Sequence, residues 1–188
     1  PKYGVDADKL VARLAHGVGT ALSTSTGDSA LDGVYKLVAI DDGSSLQSAI
    51  KLSESKVKTL NPGDKRAWRI YDQRDKATAD LIALAHERPA AGQELVLCHP
   101  TDQPRRRRMS GSQVRQVELL HAEVFSGGRR TADPVDLATM RARRFADLER
   151  LDPGVKRLMN PHVYHVSLSR ELWDHKNAMI DRLRSEVD

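Results

Sequence analysis

A mixed α/β fold is predicted for this 188-residue chain by three observations: short strand-like runs crowd residues 33–98, helix-period apolar stripes recur mostly after 99, and Gly, Pro and Asp clusters separate them. Asp6 to Ala15 reads as a short amphipathic helix, with Leu10, Val11 and Leu14 at helical spacing. Gly33 to Ile40 reads as a strand closed by a hairpin-like turn at Asp41-Asp42-Gly43-Ser44, with Lys51-Leu52-Ser53 as a second strand. Val57 to Leu60 and Arg66 to Tyr71 read as a strand pair about Asn61-Pro62-Gly63, with Trp68 and Ile70 on one side. Lys76 to Glu87 reads as a helix carrying Ala79, Ile82, Ala83 and His86 on one face, and Gln93 to Cys98 as a strand.

The character then changes. Thr101 to Ser112 is a polar, arginine-dense loop, and Gln113 to Val124 reads as a helix ended by Gly127-Gly128. Asp133-Pro134 reads as a helix start, an N-cap followed by proline at the first helical position, with Leu137, Met140, Phe145 and Leu148 continuing the stripe to Leu151. Asp152-Pro153-Gly154 breaks it. Tyr164 to Ser167 is a short strand, and Ser169 caps a last helix over Arg170 to Arg184, with Leu172, Met179 and Leu183 on its buried side. The boundary at Cys98/His99 divides a β-rich segment, 1–98, from a helical region, 99–188.

Composition narrows the function classes. The chain is 39% hydrophobic and 30% charged, with no apolar run long enough to span a membrane and no signal-like start, which predicts a cytoplasmic globular segment without a membrane partner. Cys98, the single cysteine, sits in a strand-like run and reads as a buried position, without an internal disulfide or a cysteine-based zinc site. Net charge +4 and Arg105 to Arg108 suggest polyanions, but only 4% of residues are aromatic and no nucleic-acid motif surrounds the run. It reads as a solvated loop that could funnel phosphorylated substrates. His99, His162 and His165 lack metal-ligand spacing, and Leu172 with Trp173 reads as core.

The sharpest local motif is Gly17-Val18-Gly19-Thr20. Two glycines bracketing a valine let successive N–H groups form a concave anion nest, with the Thr20 hydroxyl as a further donor, and such a nest fits a monophosphate. Downstream, Lys36, Lys51 and Lys56 recur along strand-like runs beside Ser53. The residues leave open whether they meet phosphates or solvent.

Seven blocks together resemble the C-terminal part of the nicotinate phosphoribosyltransferase family. They are Gly17-Val18-Gly19-Thr20, Tyr35-Lys36-Leu37-Val38, Lys51 to Lys56, His99-Pro100-Thr101-Asp102, Glu118-Leu119-Leu120 with Val124-Phe125, Lys156 to His162, and Val166 to Ser169 with Leu172-Trp173. They follow the family's order over nearly the whole chain. The resemblance implies the C-terminal part of a type II phosphoribosyltransferase-like α/β barrel with mixed β strands and a C-terminal helical region packing on it.

It further implies that nicotinate and phosphoribosyl pyrophosphate give nicotinate mononucleotide and pyrophosphate, with Mg²⁺ and ATP hydrolysis coupled through a phosphorylated histidine. The 5′-phosphate role passes to Gly17, Gly19 and Thr20, with Lys51 and Ser53 as further phosphate contacts. The residue before this glycine turn is usually aromatic in the family; here it is His16, directly after the helix-like stretch, so the preceding loop is expected to be shortened or missing. Nothing in the chain resembles the segment that carries the phosphorylated histidine, the nicotinate pocket or the pyrophosphate and Mg²⁺ ligands. They are expected upstream of Pro1, in a missing N-terminal part or chain, and a homodimer is expected once that part is present. The alternative is a non-catalytic segment that binds a nucleotide phosphate or a partner chain.

Overall fold

The computed structural model describes residues 4, 6–14, 35–53, 55, 58–102 and 104–186. The chain divides into two compact units, Pro1–Tyr35 and Lys36–Asp188. In the first, α1 (Ala7–Val11) is shorter than the predicted 6–15, and Asp6 caps it by accepting from the Asp8 and Lys9 amides at 3.1 and 3.2 Å. The predicted phosphate turn at Gly17, Gly19 and Thr20 lies outside the described residues.

The second unit opens with a hairpin, β1 (Ala39–Asp41) against β2 (Leu46–Ser48). Its turn is where the sequence put it, because the Asp42 carboxylate accepts from the Ser44 and Ser45 amides. Lys51-Leu52-Ser53 and 58–60 form no strand, so Arg66 to Tyr71 pairs with later segments instead. Gly63, at φ +86, makes the predicted turn, and its amide donates to the Val38 carbonyl at 2.8 Å.

The main sheet has six strands in the order β6-β5-β10-β4-β3-β7. They are β3 (Lys65–Tyr71), β4 (Ala77–Leu84), β5 (Leu95–Cys98), β6 (Arg106–Met109), β7 (Gln116–Leu119) and β10 (Val166–Leu168). All pairs are antiparallel except β10 with β4. The mixed α/β class predicted from sequence therefore holds, and the sheet takes strands from both sides of Cys98. Laid flat, six strands would separate β6 from β7 by about 24 Å. The linker from Ser110 to Arg115 contains a 3-10 turn, Gly111–Gln113, and could reach only about 20 Å. The sheet is accordingly rolled. The linker bonds to both sides of the roll, the Gly92 amide donating to Val114 and the Arg115 amide to Tyr71, both at 3.0 Å.

Inside the roll lies one core, Ile70, Ala79, Leu81, Leu95, Leu97, Met109 and Val114, with Trp68 and Val117 against it. Trp68 and Ile70 thus share a side as predicted. Outside, Cys98, Leu168 and Leu172 pack with Ile82, Leu84, Val96 and Trp173 under α3 (Arg170–Ser185). Cys98 is the expected buried strand position, and burial pushes its thiol pKa up. Ser169 caps α3 as predicted: its hydroxyl oxygen accepts from the Leu172 amide at 3.1 Å, and its hydroxyl donates to Glu87 at 2.6 Å. Ser169→Ala is expected to cost about 1–2 kcal/mol in urea unfolding; a loss of a few tenths or less would show that the cap does not hold α3 on the sheet.

Three further predicted elements differ. Lys76 to Glu87 is not a helix; β4 alternates buried and half-buried residues along its whole length. Its alanines suit a helix by propensity, but pairing on both sides with β3 and β10 decides the outcome, and the small residues face the crowded interior of the roll. Gln113 to Val124 is not a helix either. Gln116–Leu119 pairs with β3, and Gly127-Gly128 turns a small hairpin of β8 (Phe125–Ser126) and β9 (Arg129–Arg130). The arginine-dense run is a strand, β6, at the sheet edge.

The helix expected from Asp133-Pro134 begins later, as α2 (Leu137–Arg150), because Asp136 accepts from the Thr139 amide at 2.8 Å and makes the better cap. None of its residues is buried. Its last residue, Arg150, ties it to the sheet, stacking 3.5 Å above the Tyr71 ring centroid and bonding Asp75 at 2.9 Å and Gln116 at 3.0 Å.

Candidate functional site

Lys51 and Ser53 lie in an irregular, exposed segment. Ser53 lines a cleft of about 250 Å³ whose other walls include Leu52, Thr59, Thr101, Trp173, Lys176 and Arg184; Lys51 is not among its lining residues. The floor of this cleft is Lys176, 6% exposed, from the buried stripe of α3. Its ammonium donates to Asn61 Oδ1 at 2.9 Å and to the Thr59 and Pro100 carbonyls at 3.4 Å. Burial pushes its pKa down. This lysine stitches the 59–61 turn and the His99-Pro100-Thr101-Asp102 block to α3. The sequence signal was present, a lysine at helical spacing between Leu172 and Met179, but such a position ordinarily reads as a helix edge.

A second cleft opens where β5 ends and β6 and β10 begin. It holds about 130 Å³, lined by Leu97, His99, Arg105, Arg106, Arg107, His165 and Ser167. Arg107 and His165 also line an adjoining cleft of about 400 Å³ with Thr78, Asp152, His162 and Tyr164. The strand register sorts the arginines. Arg107 is paired with Leu97 and faces these clefts, meeting only Thr78 Oγ1, at 3.3 Å, among the described residues. Arg108 pairs with Glu94 at 3.2 Å, and Arg106 lies 4.7 Å over the Trp173 ring. His99 Nδ1 accepts from the Asp102 and Thr101 amides at 3.0 and 3.3 Å, which leaves its hydrogen on Nε2 as a donor.

Behind these clefts the sheet carries a polar clamp. Arg69 binds Asp80 with two bonds, Nε to Oδ1 at 2.9 Å and Nη2 to Oδ2 at 3.0 Å, and Tyr164 donates to Asp80 Oδ1 at 2.8 Å. On the other side Tyr71 donates to Glu118 at 2.6 Å. Burial, followed by the Glu118 carboxylate, pushes the Tyr71 phenol up to about 12, and burial beside Asp80 raises Tyr164 further. Because these folded-state pKa values lie above the unfolded value of about 10, their contribution is complete below pH 10 and is lost as pH rises through the folded values. Urea unfolding at pH 9 and pH 11 should therefore show a fall in stability at the higher pH that Tyr71→Phe reduces. An equal fall in wild type and Tyr71→Phe would contradict the Tyr71–Glu118 bond.

Among the described residues, no three His, Cys, Asp or Glu side chains converge in a cluster that could hold a metal ion. None of their helices is long and apolar enough to cross a membrane.

Residues 64–176, well over half of the chain, match the family model described as nicotinate phosphoribosyltransferase C-terminal domain. The chain belongs to the nicotinate phosphoribosyltransferase family. Among curated members of this family, the Bacillus subtilis nicotinate phosphoribosyltransferase is 29% identical over 173 residues, covering 92% of this chain and 35% of the relative. The human nicotinate phosphoribosyltransferase is 34% identical, covering 92% and 32%. A crystal structure of human nicotinic acid phosphoribosyltransferase is similar with a TM-score of 0.57 at 27% identity, covering 63% of this chain and 23% of that one. The chain spans about a third of the length of these curated relatives. The family's match covers the rolled sheet, from the start of β3 into α3, and so includes the strand-borne walls of the 130 and 400 Å³ clefts.

Proposed function

We propose that this chain is the C-terminal segment of a nicotinate phosphoribosyltransferase, which joins nicotinate to phosphoribosyl pyrophosphate to give nicotinate mononucleotide and pyrophosphate, coupled to ATP hydrolysis, in NAD biosynthesis. The observation that carries the reading is the match of residues 64–176 to the family's C-terminal domain. Chemically, the ribosyl carbon becomes cationic as pyrophosphate leaves, so the enzyme must fix the 5′-phosphate, neutralise the leaving group and hold the pyridine nitrogen in line.

In this reading the nest at Gly17, Gly19 and Thr20 takes the 5′-phosphate, with Lys51 and Ser53 as further phosphate contacts. The phosphorylated histidine, the pyrophosphate ligands and the groups that hold Mg²⁺ and ATP come from family segments not matched within these 188 residues. The working form is a cytoplasmic homodimer whose subunits build each site between them. In this reading Gly19→Val would fill the nest and disfavour the positive φ that such a nest requires. It is expected to weaken nicotinate mononucleotide binding by about tenfold or more in calorimetry; unchanged affinity would contradict the phosphate assignment.

A further inference from the structure

We propose that the strand-end cleft formed by His99, Arg105, Arg107, His165 and Ser167 binds a tetrahedral oxyanion of the phosphate class. This goes beyond the ligation reading and is tested by binding rather than turnover, so either can fail alone. Four observations converge. Among the described residues that line the cleft, none is acidic. Arg105 and Arg107 have no carboxylate partner among the described residues, whereas neighbouring Arg108 does. His99, its Nδ1 occupied by backbone amides, keeps an Nε2–H donor. Ser167, a mostly buried residue, lines the cleft, and its hydroxyl has no hydrogen-bond partner among the described residues.

The geometry favours an oxyanion over an apolar ligand. Two guanidiniums, an imidazole N–H and a hydroxyl supply donors from three segments, β6 with the residue before it, the residue after β5, and β10, and an anion with several acceptor oxygens satisfies them together. A volume of about 130 Å³ suits one such group, and the adjoining 400 Å³ leaves room for a body attached to it. The chemistry fits free phosphate or the phosphate of an ester.

The test is calorimetric titration of the full chain with inorganic phosphate at low ionic strength, with the imidazole proton resonances of His99 and His165 as the local readout. Saturable binding that shifts both resonances is expected. Arg107→Gln should weaken it about tenfold and Ser167→Ala about threefold, while Arg108→Gln leaves it unchanged. Arg107 is exposed, so its replacement leaves the core intact. Glycerol 2-phosphate distinguishes the sources: tighter binding than phosphate assigns the site to a phosphorylated ligand, and equal or weaker binding assigns it to the free anion. The proposal is overturned if neither probe shifts the two histidines, or if Arg107→Gln and Arg108→Gln weaken binding equally, which would mark a diffuse surface charge.

Discussion

Asp80→Ala is expected to cost about 3–5 kcal/mol of stability, because it removes the anion from a mostly buried pair and leaves a charge uncompensated. The Asp80 and Arg69 side chains are only 13% and 21% exposed, and the carboxylate is the shared acceptor for both Arg69 and Tyr164. Its loss orphans the guanidinium and the phenol at once, in the middle of β3 and β4 and beside the segment leading into β10. Urea unfolding at neutral pH reads the effect. Replacing the pair together, as Arg69→Met with Asp80→Leu, should recover much of it, since well-packed apolar substitutes for a buried pair are often neutral. A cost below about 1 kcal/mol for Asp80→Ala would place the clamp among ordinary surface pairs.

Gly111→Ala is expected to be comparably severe, at about 3 kcal/mol or more, as overpacking against an immovable neighbour. A Cβ at this position would fall on the Gly92 carbonyl oxygen and lie 2.7 Å from the Gly92 carbonyl carbon, so backbone must yield rather than a side chain. Gly111 begins the 3-10 turn of the linker that joins β6 to β7, and the Gly92 amide is itself bonded to Val114 in that linker. Moving either strand of backbone loosens the closure of the roll and the seating of Met109 and Val114 in the core. The measurement is the thermal midpoint together with near-ultraviolet circular dichroism of the aromatic side chains. A midpoint within a few degrees of wild type would show that the linker is not what holds the sheet closed.

What the sequence made legible follows from how local each signal is. The Ser169 cap, the Asp42 turn and the Gly63 turn are set within a few residues, and each forms where it was read. β4 and β7 depend on partners far along the chain. Ala77, Ala79, Leu81 and Ala83 alternate, yet Ala79, Ile82 and Ala83 also make a helical stripe, and only the pairing of β3 and β10 on either side selects the strand. The arginine run hid a strand for a similar reason. Arg107 belongs to the inner register and Arg106 and Arg108 to the outer, a distinction that exists only once β5 lies beside them. Ser167 and His99 meet Arg107 through that same sheet, so nothing in their spacing announced a common cleft. Lys176 was hidden differently, since its acceptors come from turns more than seventy residues upstream.

The central proposal, that this chain is the C-terminal segment of a working nicotinate phosphoribosyltransferase, is tested most directly by turnover of the chain joined to or combined with the family segments proposed to carry the phosphorylated histidine and the pyrophosphate and Mg²⁺ ligands. The protein is incubated with nicotinate, phosphoribosyl pyrophosphate, ATP and Mg²⁺, and nicotinate mononucleotide and pyrophosphate are quantified by chromatography. One-for-one formation of the two products, far slower when nicotinamide replaces nicotinate, is the predicted result. Absence of nicotinate mononucleotide from a preparation that unfolds cooperatively would contradict it.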